Sequence, residues 1–268
     1  MPRRQRLDAE LVRRGLARSR DHAAQLISAG RVSVAGAAAT KPATGVSVAA
    51  PVVVTDDTAS PDYASRGGHK LTGALEDFGL LGLNVVGRLA LDAGASTGGF
   101  TDVLLRAGVA SVTAVDVGYG QLAWALRQDP RVTVMDRTNV RDLRPGSVMP
   151  PPDLVVADLS FISLGLVTAS LAGVATGDAD LVLMVKPQFE VGKDRLGKGG
   201  VVRDNQTRID AVLAVAETAA ELGLGVRGCC ASRLPGPAGN VEYFLWLQRG
   251  APVVDPAHVR EVVSAGPR

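Results

Sequence analysis

The sequence predicts a doubly wound, Rossmann-like α/β sheet carried behind a small α+β N-terminal unit. Three observations predict it. From Leu89 onward, short apolar runs alternate with amphipathic segments, the rhythm of a parallel sheet with helical crossovers. Acidic or basic residues recur at the carboxyl ends of those runs, where such sheets bind ligands. A turn-rich stretch separates this body from a basic N-terminal segment. A length of 268 residues accommodates one large and one small unit, and 46% apolar against 21% charged residues excludes wholesale disorder. No uncharged apolar run approaches the ~20 residues that span a bilayer, and no apolar stretch follows the basic first turn. Neither a membrane span nor a secretory signal is expected, and the expected compartment is the cytoplasm. The two cysteines, Cys229 and Cys230, are adjacent and cannot staple distant segments.

The first unit is set apart by charge. Residues 1–41 hold nine basic side chains against three acids, a net +6, whereas the remainder holds 20 bases and 24 acids, a net −4. A compact positive end on a mildly negative body is the footprint of a polyanion-binding module. Leu7, Leu11 and Val12 have helical spacing with Gly15 as a stop, and Ser19 is a good N-cap for a second helix ending at Gly30. Arg31 to Gly36 alternates like a strand, with Val52 to Thr55 as its partner. Arg4, Arg6, Arg13, Arg14, Arg18 and Arg20 are the candidate phosphate contacts. Thr55 to Arg66 breaks both periods, so the expected boundaries are 1–58 for the first unit, 59–66 for a linker and 67–268 for the body. The first 55 residues, by Leu7-Asp8, Gly15-Leu16-Ala17-Arg18-Ser19-Arg20, Ala23-Ala24 and Gly30-Arg31-Val32-Ser33-Val34, resemble the alpha-L type RNA-binding domain, which implies recognition of structured RNA by shape and phosphate contact.

In the body, the expected strands are Leu89–Asp92, Ser111–Asp116, Val132–Val134, Leu154–Asp158, Leu181–Val185 and Val241–Leu247. The expected helices follow Gly99 to about Ala107, span Gln121–Arg127 and run from about Asn205 to Leu222. Asp92, Asp116, Asp136, Asp158 and Lys186 close successive strands, so one crevice collects several carboxylates and calls for a cationic or donor-rich ligand. The first turn is Asp92, Gly94, Ala95, Ser96, Thr97, Gly98, Gly99, Phe100. A dinucleotide needs a second glycine where Ser96 stands, and a P-loop would need Gly-Lys-Ser/Thr. S-adenosylmethionine, which lacks a pyrophosphate, fits better. Its carboxylate would lie on backbone N–H groups at the helix start, with Asp116 accepting both ribose hydroxyls and Asp136 meeting the adenine amino group.

Lysine is rare here, five against 24 arginines. A lysine kept in an arginine-rich chain suggests chemistry that arginine cannot perform, because only lysine can lose its proton when desolvated. Lys186 ends an apolar strand and is expected partly buried; Lys70 stands just before the body; Glu242 opens the last strand. Residues 190–204 mix four glycines with Lys193, Arg195 and Lys198; two readings stand nearly equal, a basic lid that contacts RNA as Arg66 would, and an ordinary mobile surface loop. Phe161, which follows Asp158, has two readings, a ring that stacks on a base and a core aromatic, of which the core is the expected one. His22, His69 and His258 do not cluster, so no metal is expected.

Five motifs then match one pattern: Ser65-Arg66-Gly67-Gly68-His69-Lys70-Leu71; Asp92 to Thr101; Ala157-Asp158-Leu159-Ser160-Phe161-Ile162-Ser163; Val185-Lys186-Pro187-Gln188-Phe189-Glu190; and Gly239-Asn240-Val241-Glu242-Tyr243. By these the chain resembles the TlyA family, hemolysin-A-like and FtsJ-like rRNA 2′-O-methyltransferases, over nearly its whole length. One departure is Pro61-Asp62-Tyr63-Ala64, where the family pattern has a basic-x-Trp-Val segment. The resemblance implies a Lys-Asp-Lys-Glu tetrad at Lys70, Asp158, Lys186 and Glu242, S-adenosylmethionine as cofactor, and cytidine riboses of small- and large-subunit rRNA as substrate. In that chemistry Lys186 would take the hydroxyl proton or hold the developing alkoxide, Asp158 would orient its amine, and Lys70 and Glu242 would position the hydroxyl and ammonium. A membrane-active hemolysin would need an amphipathic insertion segment that the α/β core does not already use, and none is evident. A non-catalytic ribosome-binding factor would have no need of an intact tetrad.

Overall fold

Residues 4–17, 19–55, 62–236 and 238–266 are described by the computed structural model, Lys193 by its backbone alone. The chain divides into two compact units, Met1–Asp62 and Tyr63–Arg268.

The first unit runs β1 (Arg4–Arg6), α1 (Leu7–Arg13), α2 (Arg20–Ser28), β2 (Val32–Val34), β3 (Ala37–Ala38), β4 (Gly45–Ser47) and β5 (Val52–Val54). Ser19 caps α2, its Oγ accepting from the His22 backbone N–H at 3.1 Å. No side chain caps α1. Instead the Leu7 and Asp8 N–H groups donate to the Thr44 and Pro42 carbonyls, so the helix start is satisfied by a neighbouring loop. The expected β2–β5 pairing forms antiparallel, Val32 opposite Val54. The pairs β1–β4 and β2–β3 were not expected; strands of two or three residues carry too little alternation to read. Leu7, Leu11, Leu26, Ile27, Val32 and Val46 make the unit's own core.

The second unit runs α3 (Gly67–Gly79), β6 (Leu89–Ala93), α4 (Gly99–Arg106), β7 (Ser111–Val115), α5 (Trp124–Arg127), β8 (Val132–Met135), β9 (Leu154–Ala157), α6 (Thr168–Val174), β10 (Asp180–Val185), α7 (Pro187–Glu190), α8 (Asn205–Glu221), β11 (Leu224–Ala231), β12 (Tyr243–Arg249) and α9 (Pro256–Ala265). Its described strands form one seven-stranded sheet in the order β11-β12-β10-β9-β6-β7-β8, parallel except for β12, which is antiparallel to both neighbours. Strand order reverses between β6 and β9, which opens a crevice at their carboxyl ends.

Helices cover both faces, so the strands are apolar on both sides, and alternation sorts them. Leu91, Val155, Leu181, Leu183 and Val185 pack on the face that carries α8. Ala90, Leu154, Val156, Val182, Met184, Phe244 and Trp246 face the other way, with Leu71 and Phe78 of α3 and Leu104 of α4. By the same period of two, Asp92, Asp158, Lys186 and Glu242 all belong to the α3/α4 face. Register adds that Val185 pairs with Tyr243, so Lys186 and Glu242 come opposite each other one step beyond the ladder.

Among the elements that escaped the sequence reading, α3 and β11 share one reason, glycine. The expected linker ran to Arg66, and no helix was expected at the start of the body. In fact Tyr63 is buried in the second unit's core, and α3 begins at Gly67-Gly68 despite two poor helix formers. A Cβ on Gly68 would lie 2.4 Å from the Tyr63 Cβ, so the glycine is what lets the ring pack. Strand β11 contains Gly225 and Gly228 and a register shift between Val226 and Gly228, which erases its alternation. The expected helix at 121–127 is a single turn, Trp124–Arg127. Of the expected linker, residues 56–61 lie outside the described residues.

Candidate active site

The four residues singled out for chemistry form two ion pairs on neighbouring strands and helix. Lys186 Nζ lies 2.6 Å from Asp158 Oδ1 and donates to Ser160 Oγ at 2.8 Å. Lys70 Nζ donates to Glu242 Oε2 at 2.5 Å. Lys70, Lys186 and Glu242 retain only 6%, 8% and 1% of their exposure, so Lys186 points inward rather than into bulk water. Helix α3 brings Lys70 to the sheet, and its first residue closes the gap between the pairs: a Cβ on Gly67 would sit 3.6 Å from Asp158 Oδ2. Each pair joins one lysine to one carboxylate, so the formal charges cancel, as burial of the lysines and Glu242 requires. Gly236 wraps Glu242 so closely that a Cβ there would fall 2.6 Å from Oε1.

Beside Asp158 lies a cavity of roughly 510 Å³, lined among others by Gly94, Ser96, Asp116, Asn139, Asp158 and Phe161. Three backbone positions of the first turn are left-handed, Gly94 at φ 85°, Ser96 at φ 48° and Gly98 at φ 97°. Ser96 therefore adopts the conformation usually left to glycine, which aims its N–H at Asp116 Oδ2, 2.8 Å away. The Gly118 N–H holds the other oxygen at 2.7 Å, so Asp116 is fixed at the cavity wall. Gly94 is obligatory for space: a Cβ would lie 2.6 Å from the Asp158 carbonyl oxygen.

The other first-turn residues do not reach the cavity lining. Ala95 packs with Ala114 and Leu122, and exposed Thr97 accepts from the Ala123 N–H. Gly98 is hemmed in by Leu122 and Leu126, and Gly99 by Ser65. Phe100 stacks on Phe244. Asp92 is wholly buried; Thr101 Oγ1 donates to its Oδ2 at 2.6 Å and its Oδ1 has no hydrogen-bond partner. Burial pushes its carboxyl up to about 7, against the opposing Thr101 hydrogen bond. The adenine role expected of Asp136 finds no support: Arg127 Nη2 holds it at 2.6 Å and keeps its carboxyl below the usual range. Gln121, Thr138, Asn139 and the run Leu159 to Ile162 line the cavity instead. The signal for these was their position in the loops after β7, β8 and β9.

Phe161 overturns its expected place in the core. It is 91% exposed, lines the cavity, sits at φ 65° and meets Phe189 with ring centroids 5.2 Å apart. A bulky side chain in this conformation is uncommon and must be held by its surroundings. Glu190 does so, accepting from Ser163 Oγ at 2.6 Å and from the Leu164 N–H at 2.9 Å; burial raises its carboxyl above the ordinary range.

The expected RNA contacts divide. Arg4 and Lys198 are exposed. Arg66 is exposed with one donor on the Pro235 carbonyl, and Arg195 is docked on Asp210 and Thr207 of α8 rather than free on a lid. Arg14 is tied to its own unit, with Nε on Glu10 and its two terminal nitrogens on the Ala50 and Val48 carbonyls, which leaves two of its five N–H donors for phosphate. Arg18 and the Lys193 side chain lie outside the described residues.

Two family models match the chain, one described as FtsJ-like methyltransferase over residues 63–249 and one as S4 domain over residues 5–51. The 16S/23S rRNA (cytidine-2'-O)-methyltransferase TlyA of Mycobacterium tuberculosis is 61% identical over 249 residues, 92% of this chain and 91% of that protein. YqxC of Bacillus subtilis, provisionally named an rRNA methyltransferase, is 40% identical over 246 residues, 91% of this chain and 86% of that one. A solved structure from Streptococcus thermophilus, provisionally named a hemolysin, aligns with a TM-score of 0.74 at 35% identity and covers 98% of this chain and 96% of its own.

Proposed function

Since this chain belongs to the TlyA family of FtsJ-like methyltransferases, we propose that it methylates a ribose 2′-hydroxyl of ribosomal RNA, cytidine in small- and large-subunit rRNA, with S-adenosylmethionine as donor. The observation that carries this reading is the pairing of the buried Lys186 amine with Asp158 at the wall of a nucleoside-sized cavity. Among the described residues no helix is long and apolar enough to cross a membrane.

The cavity residues fit the cofactor. Its volume lies in the usual range for small-molecule sites, Asp116 presents a fixed carboxylate suited to ribose hydroxyls, and Gly94 leaves room where a side chain would strike the Asp158 backbone. Bound there, S-adenosylmethionine supplies an electrophilic methyl group. The chain must supply a competent oxygen. A ribose hydroxyl is a poor nucleophile, with a pKa far above neutral. Lys186 Nζ donates to Ser160 and lies within ion-pair distance of Asp158, and a tetrahedral amine has a further direction in which to meet the 2′-oxygen. Through that direction Lys186 accepts the hydroxyl proton or steadies the charge that develops on oxygen, worth about 10²–10⁴-fold in rate. Lys70, pinned by Glu242, stands on the same face and adds a second cation without adding net charge.

Phe161 offers its exposed ring as a platform for a base taken out of its stack, since aromatic stacking contributes about 1–3 kcal/mol per base. Phe161→Ala is expected to lower kcat/KM for RNA by about 10–100-fold, well beyond its effect on cofactor affinity measured by calorimetry. The activity itself is tested by incubating the purified chain with radiolabelled S-adenosylmethionine and isolated 30S and 50S subunits. Label should enter rRNA and protect one phosphodiester from alkali at each modified site, as a blocked 2′-oxygen must. Absence of label from both subunits, or label on a base, would sink the proposal.

A further inference from the structure

An acid on the face of an RNA-binding unit ordinarily weakens binding. Asp8 departs from that rule by its contacts. Its carboxylate is nearly buried and receives Arg6 Nε at 3.1 Å, Arg6 Nη2 at 2.8 Å, Arg20 Nη2 at 3.0 Å and the Ala9 N–H at 2.8 Å. Arg6 and Arg20 come from different elements, the end of β1 and the start of α2, and their side chains remain 51% and 59% exposed. The two guanidinium groups are thus gripped from inside by one carboxylate and present their remaining N–H donors outward. These contacts hold the Asp8 carboxyl well below its usual range, so the grip persists at any physiological pH.

We infer that Asp8 is a positioning residue for RNA binding: it spends one negative charge to fix Arg6 and Arg20 as a preformed pair of phosphate forks. The inference rests on the rRNA reading above. Two free arginines would each surrender side-chain freedom on meeting phosphate, whereas forks already held lose less. Glu10 does not serve the same purpose. It binds Arg13 and Arg14, and Arg14 gives three donors to its own unit, so Glu10 acts chiefly to hold α1 to the loop at Val48–Ala50.

Electrostatics alone and preorganisation predict opposite signs. Asp8→Asn raises the net charge by one, so by charge alone affinity for rRNA rises and its salt dependence steepens. If Asp8 positions the forks, affinity falls by about 10-fold and the plot of log K against log salt becomes shallower by about one. The experiment measures binding of the full-length protein to purified 30S and 50S subunits at several salt concentrations. A second variant, Arg6→Lys with Arg20→Lys, keeps the charge and Asp8 but removes the forks, and is expected to lose at least as much. Thermal melting identifies any loss of fold, and binding of S-adenosylmethionine to the other unit serves as an internal control. Asn-variant binding equal to or tighter than wild type would overturn the inference and leave the rRNA reading intact, as would undiminished binding by the folded double-lysine variant. Failure of the wild type to bind either subunit would overturn both.

Discussion

Lys186→Arg is expected to abolish turnover, by about 10³-fold or more, while rRNA affinity, cofactor affinity and melting temperature stay close to wild type. The charge is conserved and the guanidinium can still meet Asp158, so the pair keeps its electrical balance. What is lost is twofold. A guanidinium cannot yield its proton under any physiological condition, so the variant cannot receive one from the 2′-hydroxyl. Its planar fork also replaces the further direction of a tetrahedral amine with two lateral donors, which displaces the sugar oxygen from the line of transfer. Proton handling contributes about 10²–10⁴-fold and misplacement by about 1 Å a further ~10²-fold. The measurement is single-turnover methylation of isolated subunits, with saturating enzyme so that binding is removed from the rate. Turnover within tenfold of wild type would show that Lys186 acts only as a positive charge, and the proton would need another acceptor.

How much of this could be read beforehand follows from where local pattern carries information. The buried parallel strands were legible because a run such as Leu181-Val-Leu-Met-Val185 is short, apolar and bounded by polar residues, and their ends located Asp116, Asp158 and Lys186. The pairing within the tetrad was not legible. Lys70 and Glu242 are 172 positions apart and meet only because α3 covers the same sheet face that alternation gives Glu242. That helix went unread because its first two residues are glycines, placed there to admit Tyr63 and to lie against Asp158.

The errors at the site have a common origin. Strand-end position identified Asp136 and Phe161 as residues of the right neighbourhood, but it does not say which way a side chain turns. Asp136 is claimed by Arg127, one turn of helix away in space. Phe161 is turned outward by a left-handed backbone angle that no sequence pattern demands of phenylalanine. In the first unit, composition counted arginines correctly but could not distinguish a staple from a contact: Arg14 spends every nitrogen on the protein itself, whereas Arg6 and Arg20 spend only one edge.

Glu242→Gln separates stability from chemistry at the second pair, and its expected effect is large on both. The substitution leaves the Lys70 ammonium buried opposite a neutral amide. Removing one partner of a buried ion pair costs about 3–5 kcal/mol, which for a unit of this size lowers the melting temperature by about 10 °C. Methylation is expected to fall with it, but that loss alone would be ambiguous. The resolving variant is Lys70→Met with Glu242→Gln, which removes the stranded charge. Replacing both members of a buried pair by uncharged side chains is often neutral or stabilising, so most of the melting temperature should return. If Lys70 positions the ribose, activity should not return, and the two readouts part company in a double-mutant cycle. Recovery of methylation along with stability would confine Lys70 and Glu242 to holding α3 against the sheet, and would leave Lys186 and Asp158 as the chemical pair.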